Sequence, residues 1–297
     1  MRIGFIGLGK MGRPMAEALI RDGFSVVAHN RSRGVVNELV SQGAQSALSP
    51  AEVAERTDIL FTCLAAPEDV EQILIGPGGA HEGARAGKTF VDVSTIEPDR
   101  SRLIGRTLAE RGIGFVDAPI SGGPPAARAR SLAVLAGGEP AEFKKVEPVL
   151  RSFGDNIFHL GPVGSGSLAK LCNQILTSVH QALACEVMVL GTKGGLDPAR
   201  LYEALSVSSG QSRGMDRAIA RFVLPREFSA KATIELILKD LECAMQAAAG
   251  LGVEQSLAPV AARMYRQAVA KGHGQKDIAA VILPVEERAG VVVKGNR

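Results

Sequence analysis

The stretch that most limits how this chain can fold runs from Gly161 to Gly195. Three glycines within six residues, Gly161, Gly164 and Gly166, make a loop that is tight or lets something approach its backbone. From about Ser167 a helical pattern runs, without proline, to the Gly194-Gly195 stop. That is roughly thirty residues, or ~45 Å of helix. The segment is apolar on nearly every side except for one stripe, Ser167, Lys170, Gln174, Thr177 and Gln181, with Asn173 beside it. Alternating steps of three and four put that stripe on one helix face. The pattern predicts a mostly buried helix whose polar stripe faces a cleft, a bound group or a polar partner surface.

What precedes this helix alternates between strand and helix. Ile3 to Ile6 reads as a buried strand, PMAEALIRDGF as a helix with proline in its first turn and Asp22-Gly23 at its end, and SVVAHN as the next strand. Between first strand and helix lies Gly7-Leu8-Gly9-Lys10-Met11-Gly12, a G-x-G-x-x-G dinucleotide fingerprint. With 34 glycines in 297 residues, chance alone supplies roughly 0.4 such matches, so placement carries the inference. The glycines sit where a tight turn and close approach to a pyrophosphate at a helix N-terminus are needed.

The second strand ends in Asn30-Arg31-Ser32-Arg33, with no acidic residue to accept from a ribose 2′-hydroxyl. Asp22, the nearest carboxylate, falls in the preceding turn. Arg31, supported by Arg33, suits a 2′-phosphate through charge-assisted hydrogen bonds, so NADP(H) is expected in preference to NAD(H), with NAD(H) also possible. Two arginines on a solvated turn are the plain alternative.

Further units follow. TDILFTCLAAP ends at Leu64-Ala65-Ala66, KTFVDVST at Ser94-Thr95, and GIGFVDAPISGG at Ser121-Gly122-Gly123. Strands alternating with helices predict a parallel sheet, which binds ligands beyond the carboxyl ends of its strands. SLAVLAGG and NIFHLG add two short strands, and beyond the long helix every segment has helical periodicity. The expected fold is α/β: a Rossmann-type parallel-sheet domain over residues 1–161 and an all-α domain over 162–297. A long helix at about 166–194 joins the two.

Composition narrows the function classes. Aromatic residues make up 4%, tryptophan is absent, and the basic residues behind the net charge of +3 are scattered, which argues against nucleic acid as a partner. Cys63, Cys172, Cys185 and Cys243 lie far apart in apolar contexts, without metal or CxxC spacing. They read as reduced core thiols of a cytoplasmic protein with no metal site. The apolar run before Lys10 is too short for a signal peptide, and no uninterrupted apolar run approaches eighteen residues, so no membrane span is expected.

GFIGLGKMGRPMA, DVSTIEP, DAPISGG, GxGxxxKxxNQ and KDLECA, in that order and spacing, resemble the β-hydroxyacid dehydrogenases, the family of 3-hydroxyisobutyrate dehydrogenase and tartronate semialdehyde (2-hydroxy-3-oxopropionate) reductase. The resemblance runs essentially end to end. It implies a two-domain enzyme that moves a hydride between NAD(P) and a short acid bearing a hydroxyl or carbonyl at C3. It also implies a homo-oligomer, dimer or tetramer, assembled largely through the helical domain.

Carried over by motif, Lys170 matches the catalytic lysine. Its ammonium would donate to the carbonyl oxygen during reduction, and its neutral amine, favoured by desolvation, would act as base during oxidation. Asn173 would orient the lysine or the substrate oxygen; capping a neighbouring loop is the rival role. Ser121, Gly122 and Gly123 match the carboxylate site, where two glycine N–H groups and a hydroxyl make a nest for an anionic substrate. Thr95 matches a residue beside nicotinamide and substrate, Leu64 and Ala65 match cofactor-lining backbone, and Lys239 matches a lysine reaching the cofactor. Glu235 and Lys239 are also spaced as an ordinary surface pair.

Two departures stand out. Arg130 replaces a glycine common before the SLAVLAGG strand, which puts the turn geometry there in question and leaves Arg128 and Arg130 either as an anionic contact near the site or as solvated side chains, and Pro124-Pro125 stiffens the loop after the nest. Within the same family, succinic semialdehyde or glyoxylate reduction and serine-type 3-dehydrogenation remain alternatives. An imine reductase generally lacks a lysine at position 170, a 6-phosphogluconate-type enzyme has a longer helical extension, and an idle nucleotide-binding scaffold would not need Lys170, Asn173 and the SGG turn together.

Overall fold

The computed structural model describes residues 1–230 and 232–295. Contacts divide the chain into two units, Met1–Lys170 and Leu171–Arg297. The division falls inside the long helix, immediately after Lys170.

The first unit runs β1 (Arg2–Ile6), α1 (Gly12–Arg21), β2 (Ser25–His29), α2 (Arg33–Val40), β3 (Gln45–Ser46), α3 (Pro50–Arg56), β4 (Ile59–Thr62), α4 (Pro67–Ile75), α5 (Ala80–Gly83) and β5 (Thr89–Asp92). It continues through α6 (Pro98–Ala109), β6 (Gly114–Asp117), β7 (Ile120–Ser121), α7 (Gly123–Ala129), β8 (Leu132–Gly138), α8 (Pro140–Leu150) and β9 (Gly154–His159) to the start of α9 (Ser165–Lys193). The strand order is β3-β2-β1-β4-β5-β6-β8-β7, with β9 paired to β8. The order reverses beside β1, which makes β1 and β4 the switch point of an open sheet.

Period-two alternation gives the sheet two apolar faces. Ile3, Phe5, Val26, Ala28, Phe61 and Val116 pack in one core, while Ile6, Val27, Leu60, Phe90 and Phe115 pack in another. Both faces are covered by helices, so the strands read as continuous apolar runs.

The sheet is parallel from β3 to β6 and then changes direction. β8 runs antiparallel to β6 and to β7. The stretch GIGFVDAPISGG, expected as one strand, is two, because Pro119 has no N–H to continue the ladder; its carbonyl instead accepts from Leu135 N–H at 2.9 Å.

The second unit contains the rest of α9, then α10 (Pro198–Ser206), α11 (Arg213–Ala218) with a π-helical turn at Ile219–Val223, α12 (Ile234–Gly250), α13 (Leu257–Ala270), a 3₁₀ turn at Ile278–Val281 and α14 (Ile282–Ala289). Asp197, Ser212 and Thr233 cap α10, α11 and α12 by accepting from backbone N–H groups. Cys185, Met188, Ile219, Leu241, Tyr265 and Ile282 lie in its core.

The burial of α9 meets the sequence expectation only in part: Leu171, Ala182, Cys185, Met188 and Val189 are buried, and the stripe meets polar partners in Asp240 and Arg217. Ser167, Lys170, Gln174 and Gln181 of the polar stripe are buried, whereas Leu176, Leu183 and Leu190 are 57%, 55% and 73% exposed. Cys172, expected in the core, is exposed as well. Periodicity identifies which side chains share a face; it does not say which face is covered. By length and mean hydropathy (1.3) α9 is long enough and apolar enough to cross a bilayer, which a search for uninterrupted apolar runs overlooks. Within the fold its polar side chains are turned into buried hydrogen bonds.

Candidate active site

The three fingerprint glycines each meet a different constraint. Gly7 has φ of 94°, and a Cβ there would overlap the Cys63 carbonyl; a Cβ on Gly12 would overlap the Gly7 carbonyl. At Gly9 a Cβ would meet nothing within 4 Å, so this glycine keeps open the space over the loop. Helix α1 starts at Gly12 after Met11 with no side-chain cap and no acidic residue in its first turn. Its positive end is therefore directed at that open space, which suits a dinucleotide pyrophosphate.

The end of β2 supports the loop. Asn30 Oδ1 accepts from Leu8 N–H at 3.0 Å, while its Nδ2 donates to the Ser32 carbonyl. Asn30 thus holds the glycine loop against the strand end. Arg33 donates to the Ala47 carbonyl at 3.0 Å, and Arg31 is exposed, with no carboxylate paired to it among the described residues. Asp22 is committed elsewhere, accepting from Arg130 Nη2 at 2.5 Å.

Arg130 also donates from Nε to the Ser152 carbonyl at 2.7 Å. It ends α7 with φ 60° and ψ 30°, the left-handed conformation that glycine adopts without penalty. The turn geometry is therefore kept, and two hydrogen bonds offset the strain of the larger residue. Arg130 is a clamp between α7 and the end of α1. Arg128 lines a groove of about 530 Å³ with Leu8, Gly9, Lys10 and Arg13, beside the glycine loop.

At the ends of β4 and β5, a buried carboxylate organises the next cluster. Asp92 Oδ1 accepts from Thr62 Oγ1 at 2.7 Å and from Ser94 Oγ at 2.6 Å. Ser94 Oγ is in turn the acceptor for Leu64 N–H at 2.9 Å. This latch fixes the backbone at Leu64, with Ala65 exposed beyond it, and fixes the turn that presents half-buried Thr95. Burial pushes the Cys63 thiol up to about 12, which disfavours its thiolate. Ser121 closes β7, and Gly122 and Gly123 follow with φ of 134° and 70°. Both glycines have positive φ, a backbone that residues with a Cβ rarely adopt, at the turn between β7 and α7. Pro124 and Pro125 occupy the first turn of α7.

Helix α9 is seated on the sheet by Asp117 at the end of β6. Its Oδ1 accepts from Gly164 N–H and its Oδ2 from Ser167 N–H, both at 2.7 Å. Ser101 and Ser167 share a hydrogen bond of 2.8 Å. A Cβ on Gly166 would overlap the carbonyls of Leu135 and Asp117, so the helix start lies directly on β6 and β8. Burial raises the Asp117 carboxyl to about 6, and the N–H groups of Gly164 and Ser167 hold it from rising further. Lys170 follows one turn after Ser167 and is 7% exposed.

In the second unit, Asn173 Nδ2 donates to Gln174 Oε1 at 3.1 Å, and Gln174 Nε2 donates to Asp240 Oδ2 at 2.5 Å. Lys239 is paired with Asp240 Oδ1 at 2.7 Å. Of the lower stripe, half-buried Thr177 donates from Oγ1 to the Asn173 backbone carbonyl within the helix, and buried Gln181 accepts at Oε1 from Arg217. Among the described residues, no group of three or more His, Cys, Asp or Glu side chains is placed to hold a metal ion.

Motif reading missed Asp92, Asp117 and Gln174 as site-building residues. The two aspartates were visible as the acidic residue opening DVST and DAPISGG, each directly before a strand-end cluster.

An open-sheet unit with a glycine-lined helix N-terminus, followed by a helical unit, defines a nicotinamide-dinucleotide oxidoreductase. Residues 2–161 match the family described as the NAD-binding domain of 6-phosphogluconate dehydrogenase, and residues 164–285 match the NAD-binding domain of NADP-dependent 3-hydroxyisobutyrate dehydrogenase. The chain is 36% identical over 297 residues to 2-(hydroxymethyl)glutarate dehydrogenase of Eubacterium barkeri, covering 100% of this chain and 99% of the relative. It is 34% identical over 287 residues to 2-hydroxy-3-oxopropionate reductase of Escherichia coli, covering 96% and 97%. Among solved structures, 3-hydroxyisobutyrate dehydrogenase of Mycobacterium tuberculosis with L-serine is 29% identical with a TM-score of 0.88, covering 96% of this chain and 99% of that one. The chain belongs to the β-hydroxyacid dehydrogenase family, and it is an NAD(P)-binding hydroxyacid dehydrogenase.

Proposed function

We propose that this enzyme transfers a hydride between NADP(H) and C3 of a short 3-hydroxy acid or its semialdehyde, with Lys170 as the proton-handling group. The observation that carries the reading is Lys170 itself, buried one turn into a helix whose start is fixed by two hydrogen bonds to Asp117. A lysine kept out of solvent on so constrained a backbone is placed for chemistry rather than for solubility.

When bound, the nicotinamide supplies or accepts the hydride. Gly9 and the uncapped start of α1 receive the pyrophosphate, and Leu64, Ala65 and Thr95 line its path at the strand ends. In reduction, the Lys170 ammonium donates a hydrogen bond to the carbonyl oxygen and then its proton; in oxidation, the neutral amine takes the hydroxyl proton. Ser121 and the N–H groups of Gly122 and Gly123 hold the substrate carboxylate, and Asn173, three residues beyond Lys170, orients the reacting oxygen. Arg31 receives the 2′-phosphate, because Arg33 is engaged with Ala47 and no acidic side chain occupies the β2 end.

The exposed Leu176, Leu183 and Leu190, seven residues apart, support a homo-oligomer that covers this face of α9. The substrate test is an oxidation screen with both cofactors over serine, 3-hydroxyisobutyrate, glycerate, 3-hydroxypropionate, 4-hydroxybutyrate and 2-(hydroxymethyl)glutarate. The substrate turned over best is then used with Lys170→Ala, which is expected to abolish turnover and leave cofactor affinity nearly unchanged. Retained turnover would remove Lys170 from the mechanism.

A further inference from the structure

We propose that Gln174 is a positioning residue that decides which end of the Asn173 amide is offered to the reaction, with Asp240 setting the direction. The inference rests on the role given above to Asn173.

The chain of contacts begins on α12. Asp240 is buried, and its Oδ1 is paired with the Lys239 ammonium at 2.7 Å. A carboxylate paired with an ammonium can only accept hydrogen bonds. The group facing its other oxygen must therefore be a donor, and that group is Gln174 Nε2, at 2.5 Å. Once the amide nitrogen of Gln174 is committed to Asp240, its Oε1 is left on the opposite side as an acceptor. Asn173 meets it with Nδ2, at 3.1 Å. The order donor-to-acceptor thus runs one way, from Asn173 through Gln174 to Asp240, and the carbonyl oxygen of Asn173 is left pointing away from the relay.

An amide can turn over by 180° with almost no change in shape, so packing alone holds its orientation weakly. Here the negative charge at the end of the relay removes the degeneracy. Its consequence is chemical: Asn173 presents Oδ1, an acceptor suited to a substrate hydroxyl or to an ammonium. Packing holds the relay in register. Leu171 packs with Cys243 and Ala244, one helical turn from Gln174 and from Asp240 respectively. Gln174 itself is 8% exposed, so water has little access to compete for its amide.

The test is a double-mutant cycle read by steady-state kinetics. Gln174→Met keeps the volume and removes both hydrogen bonds; kcat is expected to fall about tenfold, with KM for the cofactor within about twofold, and the same change in an Asn173→Ala background should alter kcat by less than about twofold. Should the losses multiply instead, Gln174 acts independently of Asn173 and the inference is overturned. Full activity in Asn173→Ala would instead overturn the role of Asn173, and this inference with it. A second arm uses the exchange Gln174→Glu with Asp240→Asn, which moves the charge along the relay yet keeps an acceptor facing Asn173. The pair should restore kcat to within about threefold of wild type, whereas Asp240→Asn alone should lower it about tenfold. Failure of the pair to recover activity beyond the single change would also overturn the inference.

Discussion

Asp117 offers a sharp test of how α9 is attached to the sheet. Its carboxyl is raised from 3.8 to about 6, chiefly because it is buried, despite accepting from Gly164 and Ser167. The folded state therefore binds this proton more tightly than the unfolded chain does. Stability from this group is highest below the unfolded value and declines as pH rises from 3.8 through about 6. The full span is worth ~3 kcal/mol, of which ~1.4 kcal/mol separates pH 5 from pH 7. Asp117→Asn removes the titration while leaving the rest of the molecule's pH response in place. Urea unfolding of both proteins between pH 5 and pH 7.5 isolates the difference. The wild type should gain ~1.4 kcal/mol on the variant as the pH falls to 5. Curves that run parallel across that window would refute the burial of an ionised Asp117.

Three further outcomes are expected. Arg31→Asp should lower the ratio of kcat/KM with NADP to that with NAD by about tenfold to a hundredfold, the weight of one charge-assisted hydrogen bond; an unchanged ratio would dismiss the phosphate assignment. Gly9→Ala should keep a thermal midpoint near wild type and raise cofactor KM by about tenfold, because its Cβ enters open space, while Gly12→Ala should fail to fold because its Cβ meets the Gly7 carbonyl. Leu183→Glu should shift the sedimenting species to a smaller assembly; an unaltered profile would exclude the α9 leucine face from the contact.

What the sequence made legible was whatever depends on local pattern. The apolar runs identified the longer strands, though not the two-residue β3 or the break at Pro119, and the spacing of Gly7, Gly9 and Gly12 placed the turn into α1 correctly. Features made by distant pairings were not readable. Asp22 and Arg130 are 108 positions apart in the chain, so nothing in either neighbourhood announces their contact. Arg130 looked like a fault in a glycine turn, whereas it keeps the left-handed conformation and anchors it. Asn30 also ties Leu8 to Ser32 across the loop, a pairing that its place in the sequence does not announce. On α9 the exposed leucine face was not readable. A helix apolar on most sides fits a buried rod, and only the folded partners show that the polar stripe is covered while the leucines are not.

The seating of α9 also bears on where this chain can be cut. Among the described residues every strand lies within 1–161, so a sheet fragment ending there would be complete by secondary structure. It would nevertheless lack the N–H groups of Gly164 and Ser167, leaving both oxygens of Asp117 buried without their donors, at about 1–3 kcal/mol for each lost partner. It would also uncover the seam where Gly166 lies against Leu135 and Gly137. A fragment carried through Lys170 keeps both. The smallest autonomous form of the sheet unit therefore includes the first turns of the helix that follows it, and the lysine assigned to catalysis travels with the sheet.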